Sequence, residues 1–141
     1  MPTVLDAAEY ILQQKGEMTA MKLQKLVYYA QAWALVWDEE PLFPDRIEAW
    51  ANGPVSPALY YAHKGMFTVS TVGGNPKKLS ETQTETLDAI LQTYGDRPAA
   101  VLSDLTHAES PWKDARGTTP PWERSDKVIT HAALAEYYGS L

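Results

Sequence analysis

The sequence predicts a mostly α-helical protein: one compact helical domain, spanning residues 1–141, built around a buried central helix with a short two-stranded β ribbon beside it. Three observations carry this expectation. In the stretch Thr19 to Trp37, TAMKLQKLVYYAQAWALVW, only Thr19, Lys22, Gln24, Lys25 and Gln31 lack a largely apolar side chain, which is too apolar for a helix lying on a surface. Segments on both sides of it repeat apolar residues at three- and four-residue intervals, the spacing of one helical face. A chain of 141 residues that is 45% hydrophobic can also bury a real core without metal or disulfide support.

Taken in order, Val4 to Gln14 forms an amphipathic helix with Val4, Ala7, Ala8, Ile11 and Leu12 on one face. Asp6 and Glu9 suit its positive N-terminal end, and Lys15-Gly16 ends it. Thr19 caps the central helix. Its core face is Leu23, Leu26, Val27, Ala30, Ala34 and Trp37, with Met21, Tyr28, Ala32 and Leu35 as a second stripe. These two helices should pack as a hairpin. Pro41 and Pro44 exclude helix beyond Trp37. Arg46 to Ala51 alternates apolar and other residues as a strand does, Asn52-Gly53-Pro54 reads as a turn, and Ala58 to Lys64 is a short helix closed by Gly65.

The β-rich FTVSTV at Phe67 to Val72 is the expected ribbon partner of Arg46 to Trp50. A polar loop, Gly73 to Lys78, leads to Ser80 and Gln83, a capping box for a helix from Glu81 to Tyr94 stopped by Gly95. Pro98 starts the next helix, with Val101, Leu102, Leu105 and Ala108 at core spacing. A short helical turn follows from Ser110 to Arg116 and ends at Gly117. Thr118 to Pro121 breaks the chain, Trp122 to Lys127 is polar with Trp122 as its one large anchor, and Thr130 caps a last helix carrying Ala133, Leu134, Tyr137 and Tyr138.

Composition excludes several function classes. The formal charge is −6, and the 12 basic residues are scattered, so a phosphate-binding surface and direct nucleic-acid binding are not expected. With no Cys there is no disulfide, no thiolate metal site and no Cys nucleophile. The N-terminus has no basic region followed by an apolar one, and no apolar run reaches the roughly 18 to 20 residues of a membrane span, so a cytoplasmic protein without membrane contact is expected. HExxH, an Asp/Glu-rich cluster, GxxxxGK[ST] and GxGxxG are all missing, and no metal or cofactor is expected.

Four features remain as candidates. Lys22, Lys25 and Tyr29 form a polar stripe on the central helix, expected as its solvated face. Asn52-Gly53-Pro54-Val55 is either a recognition loop, stiffened by proline and opened by glycine, or a plain chain reversal that needs the same residues. Thr106, His107 and Glu109 bring a hydroxyl, an imidazole and a carboxylate together, but Thr106 and His107 are adjacent on a helix and point about 100 degrees apart, which does not make a nucleophile and base pair. Finally, five Trp and eight Tyr against two Phe is an excess of amphipathic rings, suited both to core anchors and to binding surfaces.

Three segments together carry a family resemblance. LQKLVYYAQAWAL at Leu23 to Leu35, E-x-W-x-x-G-P-V-x-P-x-x-Y at Glu48 to Tyr60 and L-T-H-x-E-x-P-W at Leu105 to Trp112 resemble the Panacea domain, also known from phage-associated proteins, over about Met18 to Arg116. The resemblance implies a compact, mostly helical module that acts as the antitoxin of a toxin-antitoxin system, binding a cognate toxin encoded by the adjacent gene. It implies no catalytic activity. Some members add a helix-turn-helix region, for which this sequence leaves no room.

On this reading Leu23, Lys25, Leu26, Tyr28, Tyr29, Trp50, Thr106, His107, Glu109, Pro111 and Trp112 are motif residues with structural roles, and no residue is catalytic or metal-binding. The toxin surface is expected at Asn52, Gly53, Pro54, Val55, Pro57 and Tyr60, where a stiff loop loses little entropy on binding and Gly53 leaves space for a partner backbone. Two alternatives stand beside it. One is an enzyme with a pocket floored by Tyr28, Trp50, His107 and Glu109; the other is an adaptor that delivers a bound toxin to a protease.

Overall fold

Several helices in this chain start where a side chain takes up a free backbone N–H group, whereas the two that begin after Pro98 and Glu109 have no such cap. In the computed structural model, which describes residues 1–141, Asp6 accepts from the Thr3 N–H at 2.9 Å ahead of α1 (Val4–Lys15). Strand β1 (Met18–Thr19) leads directly into α2 (Ala20–Trp37), where the Thr19 hydroxyl accepts from the Lys22 N–H at 3.2 Å. Then come β2 (Ile47–Trp50), β3 (Gly53–Val55), α3 (Pro57–His63) and β4 (Thr68–Val69). A 3-10 turn at Pro76–Lys78 precedes α4 (Glu81–Tyr94), whose Ser80–Gln83 capping box forms as the sequence predicts. The remainder is α5 (Ala99–Ala108), α6 (Ser110–Arg116), β5 (Val128–Ile129) and α7 (His131–Gly139), the last capped by Thr130.

The mostly α architecture around a central helix is the one predicted. Helices α1, α3, α4, α5 and α7 all pack on α2, and Leu23, Leu26, Val27, Tyr28 and Ala30 are buried within the resulting core. The two ends of the helix escape this cover: Met21 and Trp37, expected on its apolar stripes, are 45% and 49% exposed. Trp37 stacks on Trp33 of the same helix.

The polar stripe is a larger departure. Lys25 and Tyr29 are buried, not solvated, while Lys22 is partly exposed. Strand β3 and helix α5 both pack on α2, and they close the flank that the stripe occupies.

Strand pairing also differs from expectation. β2 pairs antiparallel with β3 and with β5, giving the order β3-β2-β5, whereas the Phe67 to Val72 segment supplies only β4, which pairs with β1. The loop between β2 and β3 is just Ala51-Asn52, so β3 reaches β2 at minimal loop length. The register places Pro54 opposite Ala49. Because Ala49 donates its N–H to Lys127 O on the β5 side, the Ala49–Pro54 pair is a non-hydrogen-bonded one, and a proline without N–H is tolerated there. The Pro54 carbonyl therefore points away from β2, toward α2.

Candidate functional site

Helix α2 fastens the β2–β3 hairpin through two adjacent polar residues. The Gln24 amide oxygen accepts from Ser56 N–H at 2.9 Å, and its nitrogen donates to Ser56 O at 3.2 Å and lies 3.0 Å from His63 Nε2. Ser56 in turn caps α3, with Pro57 in its first turn. Lys25 Nζ donates to the outward Pro54 carbonyl at 3.2 Å. Its side chain is 1% exposed and forms no ion pair, and this burial pushes its ammonium pKa down to about 8.

Gly53 is the reason that Lys25 fits. Its φ of +116° is unfavourable for any residue with a side chain. A β-carbon there would also stand 2.9 Å from Lys25 Cε, 3.0 Å from Lys25 Nζ and 3.3 Å from His107 Nε2. The space that glycine leaves is filled from inside the protein, so it is not open to a partner backbone as the sequence suggested. His107 Nε2 is buried beside this contact and has no hydrogen-bond partner.

The segment at the end of α5 does two separate jobs. On one side, the His107 ring stacks on Trp112 at 4.4 Å, and the Trp112 indole donates to Trp50 O at 2.8 Å. On the other, Glu109 Oε1 accepts from the Tyr29 hydroxyl at 2.6 Å and from the Tyr138 hydroxyl at 2.9 Å. Tyr138 also meets the Tyr28 hydroxyl at 3.0 Å, and Tyr29 stacks on Tyr94 at 4.2 Å. Burial raises the Glu109 carboxyl above its usual range, against the two hydroxyl donors that lower it. Thr106 is buried and its hydroxyl donates back to Ser103 O, so it is directed neither at His107 nor at Glu109.

The four residues proposed to floor an enzymatic pocket are thus distributed over three places. Tyr28 and Glu109 converge on Tyr138, His107 lies against Gly53 and Trp112, and the Trp50 side chain faces outward.

Trp50 borders a cavity of about 640 Å3 together with Glu48, Asn52, Tyr60, Arg124 and Asp126. Glu48 orients it by accepting from the Trp50 indole at 2.8 Å and from Arg46 Nε at 2.6 Å. The Trp50 and Tyr60 rings meet edge to face at 5.1 Å, and Tyr60 meets Tyr61 at 5.8 Å. Of the six residues expected to bind a partner, Asn52 and Tyr60 lie on this face, whereas Gly53, Pro54, Val55 and Pro57 are buried beneath it.

Two residues of the site were not legible as such in the sequence. Arg116 donates to Ala49 O at 3.0 Å and to both Pro120 O and Glu123 O at 2.6 Å, with its guanidinium over Trp112. It holds both ends of the turn that carries Trp122, which is 79% exposed and not the anchor that was expected. The only sequence signal for Arg116 was its position before Gly117 and the breaker run. Tyr138, read only as an apolar helix position, is the second donor to Glu109.

No three His, Asp or Glu side chains group closely enough to hold a metal ion, and no helix is long and apolar enough to cross a membrane. No curated protein and no solved structure matches the chain. The sequence pattern of the family described as Antitoxin SocA-like, Panacea domain, matches residues 23–113. That stretch contains Gln24, Lys25, the β2–β3 hairpin, His107, Glu109 and Trp112, most of the residues whose contacts build the site, while Arg116 and Tyr138 follow it; the chain belongs to this family.

Proposed function

We propose that this protein is an antitoxin that neutralises a cognate small toxin by forming a stoichiometric complex with it, through the face around Trp50, Asn52, Tyr60, Tyr61 and Trp122. Family membership supports the antitoxin role. The observation that carries the choice of face is the display of large rings on rigid supports: Tyr61 is 73% exposed beside the Trp50–Tyr60 pair, and Trp122 sits on a turn held at both ends by Arg116. Such rings bury much area at low entropy cost, the usual make-up of binding hot spots. A formal charge of −6 would speed encounter with a basic toxin.

The test is co-expression with the product of the adjacent gene, scoring growth rescue and co-purification for the parent, Tyr61→Ala, Trp122→Ala and Asn52→Arg, with melting curves as the folding control. The expected result is loss of rescue and of complex in variants that melt as the parent does. Variants that stay folded and still neutralise place the interface elsewhere; a parent that neither rescues nor co-purifies removes the antitoxin reading.

A further inference from the structure

Strand β5 leaves one side of the three-stranded sheet open. In an antiparallel pair the residues alternate between those bonded to the neighbour and those facing away. Ala49 N–H bonds to Lys127 O across the β2–β5 ladder, so the next residue, Val128, directs its N–H and C=O away from β2 to the sheet's outer edge. Helix α6 packs against both β2 and β5, and β5 stands at the end of the order β3-β2-β5 with no strand beyond it. Val128 is 47% exposed.

The edge runs along a second cavity, a groove of about 510 Å3 between α6 and α7. Pro111, Ala115, Ala133 and the Tyr137 ring give it apolar walls, and Asp114 and Glu136 stand on opposite sides. Those are its only charged lining residues, and neither is in an ion pair. An open strand edge, apolar walls and two unpaired carboxylates together fit one kind of occupant: an extended chain whose backbone pairs with Val128 and whose side chains include a cation.

We infer that this groove receives an extended, basic segment of the toxin, which adds as a strand to the edge of β5. The inference rests on the antitoxin reading for its occupant, while the chemistry of the groove stands apart from it. Most of the groove lies beyond residues 23–113, so it is a contact supplied by this chain's own C-terminal part. It is separate from the Trp50–Tyr60 face, which shares none of its lining residues.

Two variants address it. Val128→Pro removes the outward N–H without touching the ladder to β2, a substitution that strand edges tolerate. Glu136→Lys cancels the groove's negative charge, leaving Asp114 against a new cation, on an exposed helical position, and serves if the proline variant fails to fold. The first arm measures anisotropy of a fluorescein-labelled peptide alternating valine with lysine, against the same peptide with glutamate in place of lysine. The parent should bind the lysine peptide saturably and the glutamate peptide weakly. Val128→Pro should lower affinity about three- to tenfold, the loss of one backbone hydrogen bond, and Glu136→Lys by about tenfold.

The second arm repeats co-purification with the adjacent gene product, where the same variants should weaken the complex. No saturable binding of the lysine peptide, or equal binding by parent and both variants, overturns the groove assignment. Peptide binding that depends on Val128 and Glu136, combined with an unaffected toxin complex, overturns the toxin as occupant. If the parent binds the peptide but never the adjacent gene product, the antitoxin reading fails and takes this occupant with it.

Discussion

The Tyr138 hydroxyl donates to Glu109 Oε1 at 2.9 Å, joining helix α7 to the loop between α5 and α6 across the face of α2. The same oxygen takes the Tyr29 hydroxyl, so one carboxylate ties three helical elements together. Tyr138 lies outside the family-matched stretch, whereas Tyr29 and Glu109 lie within it. The C-terminal helix therefore completes a polar centre whose other members belong to the family domain.

That centre gives a first prediction. Tyr29 and Tyr138 are almost fully buried, and Glu109→Ala leaves at least the Tyr29 hydroxyl without an acceptor, since Tyr138 can still turn to Tyr28. A cost of about 1–3 kcal/mol in unfolding free energy is expected. Glu109→Gln keeps an accepting oxygen and removes the buried charge. Because the folded carboxyl has a raised pKa, the folded state holds the proton more tightly, and stability falls as pH rises from the unfolded value of 4.5 through the raised one. At neutral pH the Gln variant should thus equal or exceed the parent in urea unfolding, and the two should converge or reverse near pH 4. A Gln variant as unstable as the Ala variant would show that the hydroxyl bonds are not what Glu109 supplies.

What the sequence disclosed and what it concealed divide along contact range. Ser80 and Gln83 are three residues apart, so their capping box was readable, and so was the cap at Thr19. The burial of Lys25 and Tyr29 was not, because it is decided by Pro54 and by Glu109, the latter 80 positions away. Charge alone argued for solvent at Lys25, and the room its buried end takes up is left by the glycine at 53. β5 has two residues and so no alternation to detect. Trp112 and Trp122 are chemically identical, yet one is stacked between His107 and Arg116 while the other is held out on a turn. The candidate face was half legible: the turn points to Asn52 and the motif to Tyr60, whereas the display of Trp122 and the buried Arg116 that supports it required the fold.

Lys25 yields a prediction about alkaline pH. Its pKa falls from 10.5 to about 8 on folding, so between those values the unfolded chain binds the extra proton and stability rises with pH. Below pH 8 the full cost of burying the charge is present, roughly 3 kcal/mol from the size of the shift. Lys25→Met should remove this slope and match or exceed the parent at pH 7, despite losing the bond to Pro54 O. From pH 8 to pH 10 the parent should gain stability relative to the variant. Buried tyrosines such as Tyr28 act in the opposite direction at high pH, but they are common to both proteins and cancel in the difference. A difference that is flat with pH would mean that Lys25 keeps an ordinary pKa.

Arg116 offers a prediction that separates stability from display. Arg116→Lys retains the charge and loses the fork that holds Ala49 O, Pro120 O and Glu123 O at once. Three buried or part-buried carbonyls then share a single ammonium, and a loss of about 1–3 kcal/mol is expected in thermal or urea unfolding. Trp122 should become more mobile, which time-resolved tryptophan anisotropy reads in a background where Trp37, the other strongly exposed indole, is replaced by Phe. An unchanged anisotropy decay would show that the turn is rigid without its clamp.

Gly53 and Lys25 should be energetically coupled, and the sign can be worked out in advance. Gly53→Ala meets two separate penalties: a backbone at φ +116°, which costs on the order of 1–2 kcal/mol for a residue with a side chain, and a β-carbon 2.9 Å from Lys25 Cε. The first is intrinsic to position 53, while the second depends on the lysine and on His107 Nε2 at 3.3 Å. In Lys25→Ala the flexible stem is gone, so the second penalty is largely relieved and only the backbone strain and the histidine contact remain. The double variant should therefore be more stable than the sum of the single effects predicts, by about 1 kcal/mol in a double-mutant cycle measured by urea unfolding. Lys25→Met, which retains a stem atom at the same place, should show a smaller coupling. If the effects add within error, the glycine serves the turn alone and the close approach of Lys25 plays no part in fixing it.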